Sequence, residues 1–304
     1  MSRIHELSDQ AETLRSLQEQ LVDRTPMETG RGTPPRVFTV TSGKGGVGKT
    51  AVVANLAIAL ARQAKKILII DADLGLANID VIFGLTPRYN LNHFFSGERS
   101  LAEIMVEGPQ GIKILPAGSG VQQFTHLDGT QKMRFMDELD QLHENFDIVL
   151  IDTEAGISEN VTYFSVAAHD VLMVTSPDPT AITDAYALMK LLSTRYHQKV
   201  FTLIVNSVAS AEEGLEVYQK LTTVANRYLS ISIDYMGCIP FDKRVRESVR
   251  RQQPMINLYP NSKTSNAFAA FAKDLLVLPQ ELQPKGTLQF FWKRLMTLNP
   301  EEIG

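Results

Sequence analysis

One stretch dominates what this chain can fold into: VFTVTSGKGGVGKT, residues 37–50, in which a short apolar strand runs into a glycine-rich loop that opens directly onto the helical pattern TAVVANLAIALARQA at 50–64. Gly43, Gly48, Lys49 and Thr50 satisfy the spacing G-x-x-x-x-G-K-[ST]. Gly43, Gly45, Gly46 and Gly48 let successive backbone N–H groups wrap a phosphate chain, with Val47 and Ala51 completing the loop and the helix entry. Lys49 then reaches the β- and γ-phosphates and Thr50 offers its hydroxyl to Mg²⁺. Strand, loop and helix in this order belong to a parallel α/β sheet.

The rest of the chain agrees. Apolar runs at 66–73, 111–118, 146–153, 170–177, 201–208 and 231–240 read as strands covered on both faces. Helical patterns at 131–146, 181–196 and 216–229 separate several of them. The expected fold is a three-layer α/β/α P-loop NTPase with a mainly parallel sheet and its functional residues just beyond the strands' carboxyl ends. The 304 residues, 44% hydrophobic, suffice for one large domain at 37–278. Two extensions flank it: an amphipathic helix at 1–23 with linker 24–36, and a linker at 279–287 leading to a helix at 288–298. The net charge of −4 argues against a globally basic nucleic-acid binder, so direct DNA binding is not expected. The single cysteine, Cys238, excludes an intrachain disulfide and a cluster held by paired cysteines. The longest apolar run, 51–61, is too short to span a bilayer, and the N-terminus lacks the apolar segment of a signal peptide. A cytoplasmic protein is expected, soluble or resting on a membrane without crossing it.

Lys44, one residue after the first loop glycine, makes KGGVGKT resemble the deviant Walker A motif of the ParA/MinD family of ATPases, a resemblance that covers roughly residues 37–275. It implies that Lys44 reaches across an ATP-bound homodimer to the partner's nucleotide. IDADLGLANID (70–80) looks like the family's second signature, which implies that Asp73 orients the attacking water and that Asn78 lies near the metal and dimer interface. A carboxylate suits that task, because phosphoryl transfer depends on positioning and charge stabilisation. LIDTEAGI (150–157) reads as a Walker B strand end with Asp152 on Mg²⁺, followed by a switch loop containing Glu154 and Gly156. The resemblance implies DTGAGI there, so Glu154 is a departure that puts turnover, more than binding, in question. No N-K-x-D guanine motif occurs, and by resemblance Asn206, Pro240 and Asp242 frame an adenine. ATP and ADP are the expected nucleotides.

The two extensions choose among family members. In TLQFFWKRLMTL (287–298), Phe291, Trp292, Leu295 and Met296 share an apolar face with flanking cations, similar to the membrane-targeting helix of MinD-type ATPases. Docking of that helix on its own core is the competing reading. DQAETLRSL (9–17) resembles the N-terminal segment of the flagellar-placement ATPases (the FlhG, FleN or YlxH group), with Asp9, Gln10, Leu14 and Arg15 matching. SPDPTAITDAYALMK (176–190) resembles the same group. The resemblance implies stimulation of the signal-recognition-particle-type GTPase FlhF, contact with flagellar switch-complex (C-ring) proteins and, in some relatives, a flagellar transcription regulator. A MinD-type division-site ATPase and a nucleotide-gated adaptor with negligible hydrolysis are the alternatives.

Overall fold

The computed structural model describes residues 35–73, 78–118, 127, 129–142 and 145–278. The chain divides into Met1–Thr33 and Pro34–Gly304. The expected helices at 1–23 and 288–298, most of linker 24–36 and all of linker 279–287 lie outside the described residues.

Eight strands form one sheet: β1 Arg36–Ser42, β2 Ile67–Ala72, β3 Val106–Glu107, β4 Lys113–Leu115, β5 Ile148–Ala155, β6 Asp170–Thr175, β7 Val200–Val208 and β8 Ser232–Pro240. Their order is β3-β4-β2-β5-β1-β6-β7-β8, parallel throughout except for the two-residue edge strand β3. The continuous apolar runs follow from this arrangement, since β1, β2 and β5 are covered on both faces and show unbroken burial through most of their length. Register sets Asp71 opposite Asp152 and Ser42 opposite Ala155, so the ends of β2, β5 and β1 form one ledge.

One face is covered by α1 (Lys49–Ala61) and by a C-terminal helix at Lys263–Val277. Helix α1 is buried almost all round, which explains its lack of a polar face. Its one interior amide, Asn55, is satisfied: Nδ2 donates to the Ala51 carbonyl at 2.7 Å and Oδ1 accepts from Ile256 N–H at 2.9 Å. Short helices α2 (Ile79–Phe83), α3 (Leu91–Phe95) and α4 (Leu101–Ile104), then α5 (Gly129–Leu142), follow β2 and flank β3 and β4. Helices α6 (Glu159–Ala167), α7 (Pro179–Tyr196) and α8 (Ala211–Tyr228) connect the later strands. After β8 come α9 (Lys243–Arg250), α10 (Met255–Leu258) and α11, the C-terminal helix already placed on α1. The strand expected at 111–118 shrinks to β4, because Gly111 at φ 74° closes a turn and the chain enters the ladder only at Lys113.

Candidate nucleotide-binding site

The loop between β1 and α1 bends through left-handed backbone at Gly46 (φ 80°) and Gly48 (φ 90°), conformations that exclude most side chains. Gly43 is needed for a different reason. Its backbone is ordinary, but a Cβ there would sit 2.2 Å from the Asp184 carbonyl of α7. Across the loop, Asn206 at the end of β7 donates through Nδ2 to the Val47 carbonyl at 2.7 Å. The phosphate loop is therefore clamped from β7 on one side and by α7 on the other.

Lys49, in the first turn of α1, is buried and reaches the Asp152 carboxylate at 2.6 Å; the two side chains are 7% and 1% exposed. The Thr50 side chain, next along α1, also favours the charged form of Asp152. Burial pushes the Asp152 carboxyl up, while Lys49 and Thr50 oppose that shift. Asp71, opposite Asp152 in the ladder, is equally buried, and desolvation together with the Asp152 charge holds it well above the ordinary carboxylate range. Its oxygens accept the backbone N–H groups of Asp73 (3.1 Å) and Ile79 (3.5 Å), so the carboxylate brackets the 73–79 segment. Asp73 is half-buried at the β2 exit and Asn78 is exposed at the start of α2.

Lys44 stands on the rim. Its ammonium meets Asp178 Oδ2 at 2.8 Å and the Thr180 hydroxyl, with the lysine side chain 37% exposed. Asp178 caps α7 through the Thr180 N–H at 2.9 Å, and Lys44 with Thr180 holds its carboxyl far below the usual range.

Glu154 lies inside β5 and has no left-handed backbone, so the strand accepts a side chain where the family resemblance implies glycine. Its carboxylate accepts the Ser158 hydroxyl, and Ser158 in turn caps α6 by accepting Val161 N–H at 3.3 Å. The charge faces a helix N-terminus, where it is favoured. Gly156 does require glycine, with φ 102°, and its N–H donates to the Ser42 carbonyl at 2.9 Å, tying the segment after β5 to the β1 exit. Pro240 ends β8, and Asp242 caps α9 and is gripped by Arg244 at 2.7 Å.

The residues from Gly43 to Ala51, Asp73, Asp152 and Asn206 thus gather around the carboxyl ends of β1, β2, β5 and β7, with Pro240 and Asp242 at the end of β8. Asp9, Gln10, Leu14, Arg15, Phe291, Trp292, Leu295 and Met296 lie outside the described residues. Two groups were not singled out in the sequence: Asp71, whose only signal is the doubled acid of IDAD, and the Asp178–Thr180 pair inside SPDPTAITD.

A glycine loop on a strand–helix turn, its lysine on a buried strand-end aspartate and a second lysine at the rim define a P-loop nucleotide-binding protein of the deviant Walker A class. Residues 34–276 match the ParA family, described as NUBPL iron-transfer P-loop NTPase. The chain is 42% identical over 263 residues to the antiactivator FleN of Pseudomonas aeruginosa, covering 86% of this chain and 94% of FleN. It is 38% identical over 267 residues to the flagellum site-determining protein YlxH of Helicobacter pylori, covering 86% and 90%. Among solved structures it resembles the MinC:MinD cell division protein complex of Aquifex aeolicus, with TM-score 0.64, 27% identity and coverage of 79% of this chain and 96% of that one. The chain belongs to the ParA/MinD family of ATP-binding P-loop ATPases, and within it is a homologue of FleN and YlxH.

Proposed function

We propose that the chain is an ATP-driven dimerising ATPase that regulates flagellar placement and number. The observation that carries this reading is Lys44, a rim cation held by an exposed carboxylate that a competing anion can replace. On ATP binding, Lys44 leaves Asp178 and Thr180 for the nucleotide of a second subunit, and two such exchanges join the dimer. Lys49 turns from Asp152 to the phosphates, which the loop amides from Gly43 to Thr50 surround.

The oxygen donors Thr50 and Asp152, brought together beside the buried Lys49, fit Mg²⁺, a hard cation that takes carboxylate and hydroxyl ligands. When bound, the ion neutralises charge on the phosphates. Asp73 orients the attacking water, and Asp71 positions Asp73 through its backbone N–H. Asn78, Glu154 and Gly156 form the switch and dimer surface, while Asn206, Pro240 and Asp242 frame the adenine.

The names of the relatives, an antiactivator and a flagellum site-determining protein, support a flagellar role. In it the 1–23 segment stimulates a partner GTPase of the FlhF type, and the 288–298 helix brings the ATP-bound dimer to the anionic inner membrane surface. Two such helices act by avidity. Switch-complex proteins and a flagellar transcription regulator are the further partners.

Sedimentation of the full chain with ATP·Mg²⁺, with ADP·Mg²⁺ and as Lys44→Ala tests the core of this reading. A dimer with ATP alone, absent in Lys44→Ala although ATP still binds, is the expected result. Equal dimerisation of the variant would remove Lys44 from the interface.

A further inference from the structure

The stretch KRVRESVRR (243–251) follows Asp242 directly, and Arg244 is its one residue that bonds a residue of the proposed nucleotide frame among the described residues. It forms α9, and two of its cations are already engaged: Arg244 with Asp242 at 2.7 Å and Arg251 with Glu247 at 2.5 Å. Three are not. Lys243, Arg246 and Arg250 are exposed and form no ion pair or hydrogen bond among the described residues. Spaced i, i+3 and i+7, they lie within about 60° of one another and climb about 10 Å along the helix. Ser248, the buried residue of α9, faces the opposite side. Glu247 borders the stripe, one turn from both Lys243 and Arg250, but its carboxylate is engaged by Arg251, which leaves the three cations as the unpaired charges of this face.

Beside the last turn of α9 opens a groove of ≈ 480 Å³. Its lining is mostly polar: Arg251 and the side-chain amides of Gln252, Gln253 and Asn257 face it, with half-buried Pro109 at the rim and Phe83 and Pro254 buried beneath. Its wall is tightly built. Gly84 has φ 66°, and a Cβ there would lie 3.0 Å from the Gln252 carbonyl, so only glycine lets the α2 end meet the α9–α10 turn. Arg62 donates to Asn257 Oδ1 at 2.8 Å, which fixes the amide and leaves its NH₂ group as a donor.

We infer that the α9 stripe and this groove together dock an extended acidic peptide segment of a partner protein. The stripe takes the carboxylates. The amides, which both donate and accept, pair with the peptide backbone. A concave groove offers nothing to a flat bilayer. A long polyanion needs more phosphate-spaced cations in line than the three that α9 offers, whereas a short acidic peptide does not. None of the groove or stripe residues contacts the phosphate loop in the hydrogen-bond pattern, so the inference does not depend on the nucleotide reading.

The test is fluorescence anisotropy with the full chain and a labelled decapeptide of alternating glutamate and alanine. The same composition with lysine for glutamate, oligodeoxythymidine and anionic phosphatidylglycerol vesicles serve as the other probes. The expected result is saturable binding of the acidic peptide that weakens with salt and falls at least about tenfold in Lys243→Glu/Arg246→Glu/Arg250→Glu, a loss of about 1.4 kcal/mol. Because all three residues are exposed, the variant is expected to keep its melting temperature and ATP binding, with Arg246→Gln/Arg250→Gln as a milder check. Absence of binding, or binding unchanged in both variants, overturns the proposal. So does tighter binding of oligodeoxythymidine or vesicles to the same stripe. Peptide binding that appears only after residues 299–304 (NPEEIG) are removed assigns the surface to the chain's own acidic end and overturns a partner.

Discussion

The Lys49–Asp152 pair makes a prediction about stability that is independent of catalysis. Asparagine at 152 keeps the shape of the side chain but removes its charge, leaving a lysine that is 7% exposed without its counter-ion. Removing one partner of a buried pair costs about 3–5 kcal/mol, most of it the penalty of the stranded charge. One neighbour works against that cost. Asp152 is a cause of the raised Asp71 carboxyl, so neutralising it relieves Asp71 and places the net near the lower bound, about 3 kcal/mol. In a domain of this size each 1 kcal/mol lowers Tm by about 2–4 °C, so Asp152→Asn is expected to melt about 6–12 °C below the natural chain. Thermal melts followed by far-UV circular dichroism without nucleotide measure this. The double variant Lys49→Met/Asp152→Asn removes both charges and is expected to recover most of the loss. A single variant that melts within about 2 °C of the natural chain, or a double variant no better than the single, would refute the reasoning.

Gly43→Ala forces backbone apart by steric contact alone, so it is expected to cost about 1–3 kcal/mol and to weaken binding of a fluorescent ATP analogue; an unchanged affinity and Tm would mean that α7 yields freely. Asp178→Asn releases Lys44 from its charged partner and is expected to raise the dimer fraction at limiting ATP, as read by sedimentation. Proton uptake does the same only in strong acid. The depressed Asp178 carboxyl contributes above its ordinary value of 3.8 and loses the contact as pH falls through its lower folded value, so dimerisation should not change across neutral pH through this group. Asp71→Asn keeps one acceptor for the two N–H groups it brackets but loses the other, and hydrogen exchange at Asp73 and Ile79 is expected to quicken; unchanged exchange would argue against a positioning role. Trp292→Glu is expected to abolish flotation with anionic liposomes, and flotation that persists would remove the terminal helix as the anchor.

Sequence pattern was sufficient wherever local chemistry and fold demand coincide. β1, the glycine loop and α1 were legible because a phosphate loop needs its strand and helix at fixed distances, and β5 and β7 because buried parallel strands are continuously apolar. Helix α6 leaves no periodic signal in the sequence because it is buried from Asn160 to Ala167 and so has no polar face to set a period of 3.6. Lys44 was legible as a loop cation, but its partner was not, since Asp178 is 134 residues away and meets it only because β6 pairs with β1.

Asp71 and Asp73 show where periodicity stops being informative. Two acids at i and i+2 of a strand point to the same face, and alternation alone treats them alike. The structure separates them because β2 ends at Ala72. Asp71 is still inside the ladder, 1% exposed and opposite Asp152, whereas Asp73 is already outside it and half-buried. The inner acid is committed to holding the backbone of the segment that carries the outer one. Their different roles depend on a strand boundary defined within one residue, and that boundary is set by how far the β5 ladder extends rather than by the residues of IDAD. Moving Asp73 one position inward by deleting Ala72 is therefore expected to lose ATP hydrolysis while retaining nucleotide affinity, since the loop from Gly43 to Thr50 is anchored by β1, α7 and Asn206 instead. Stopped-time phosphate release and equilibrium binding on the same variant separate the two, and equal loss of both would show that the ledge behaves as one unit.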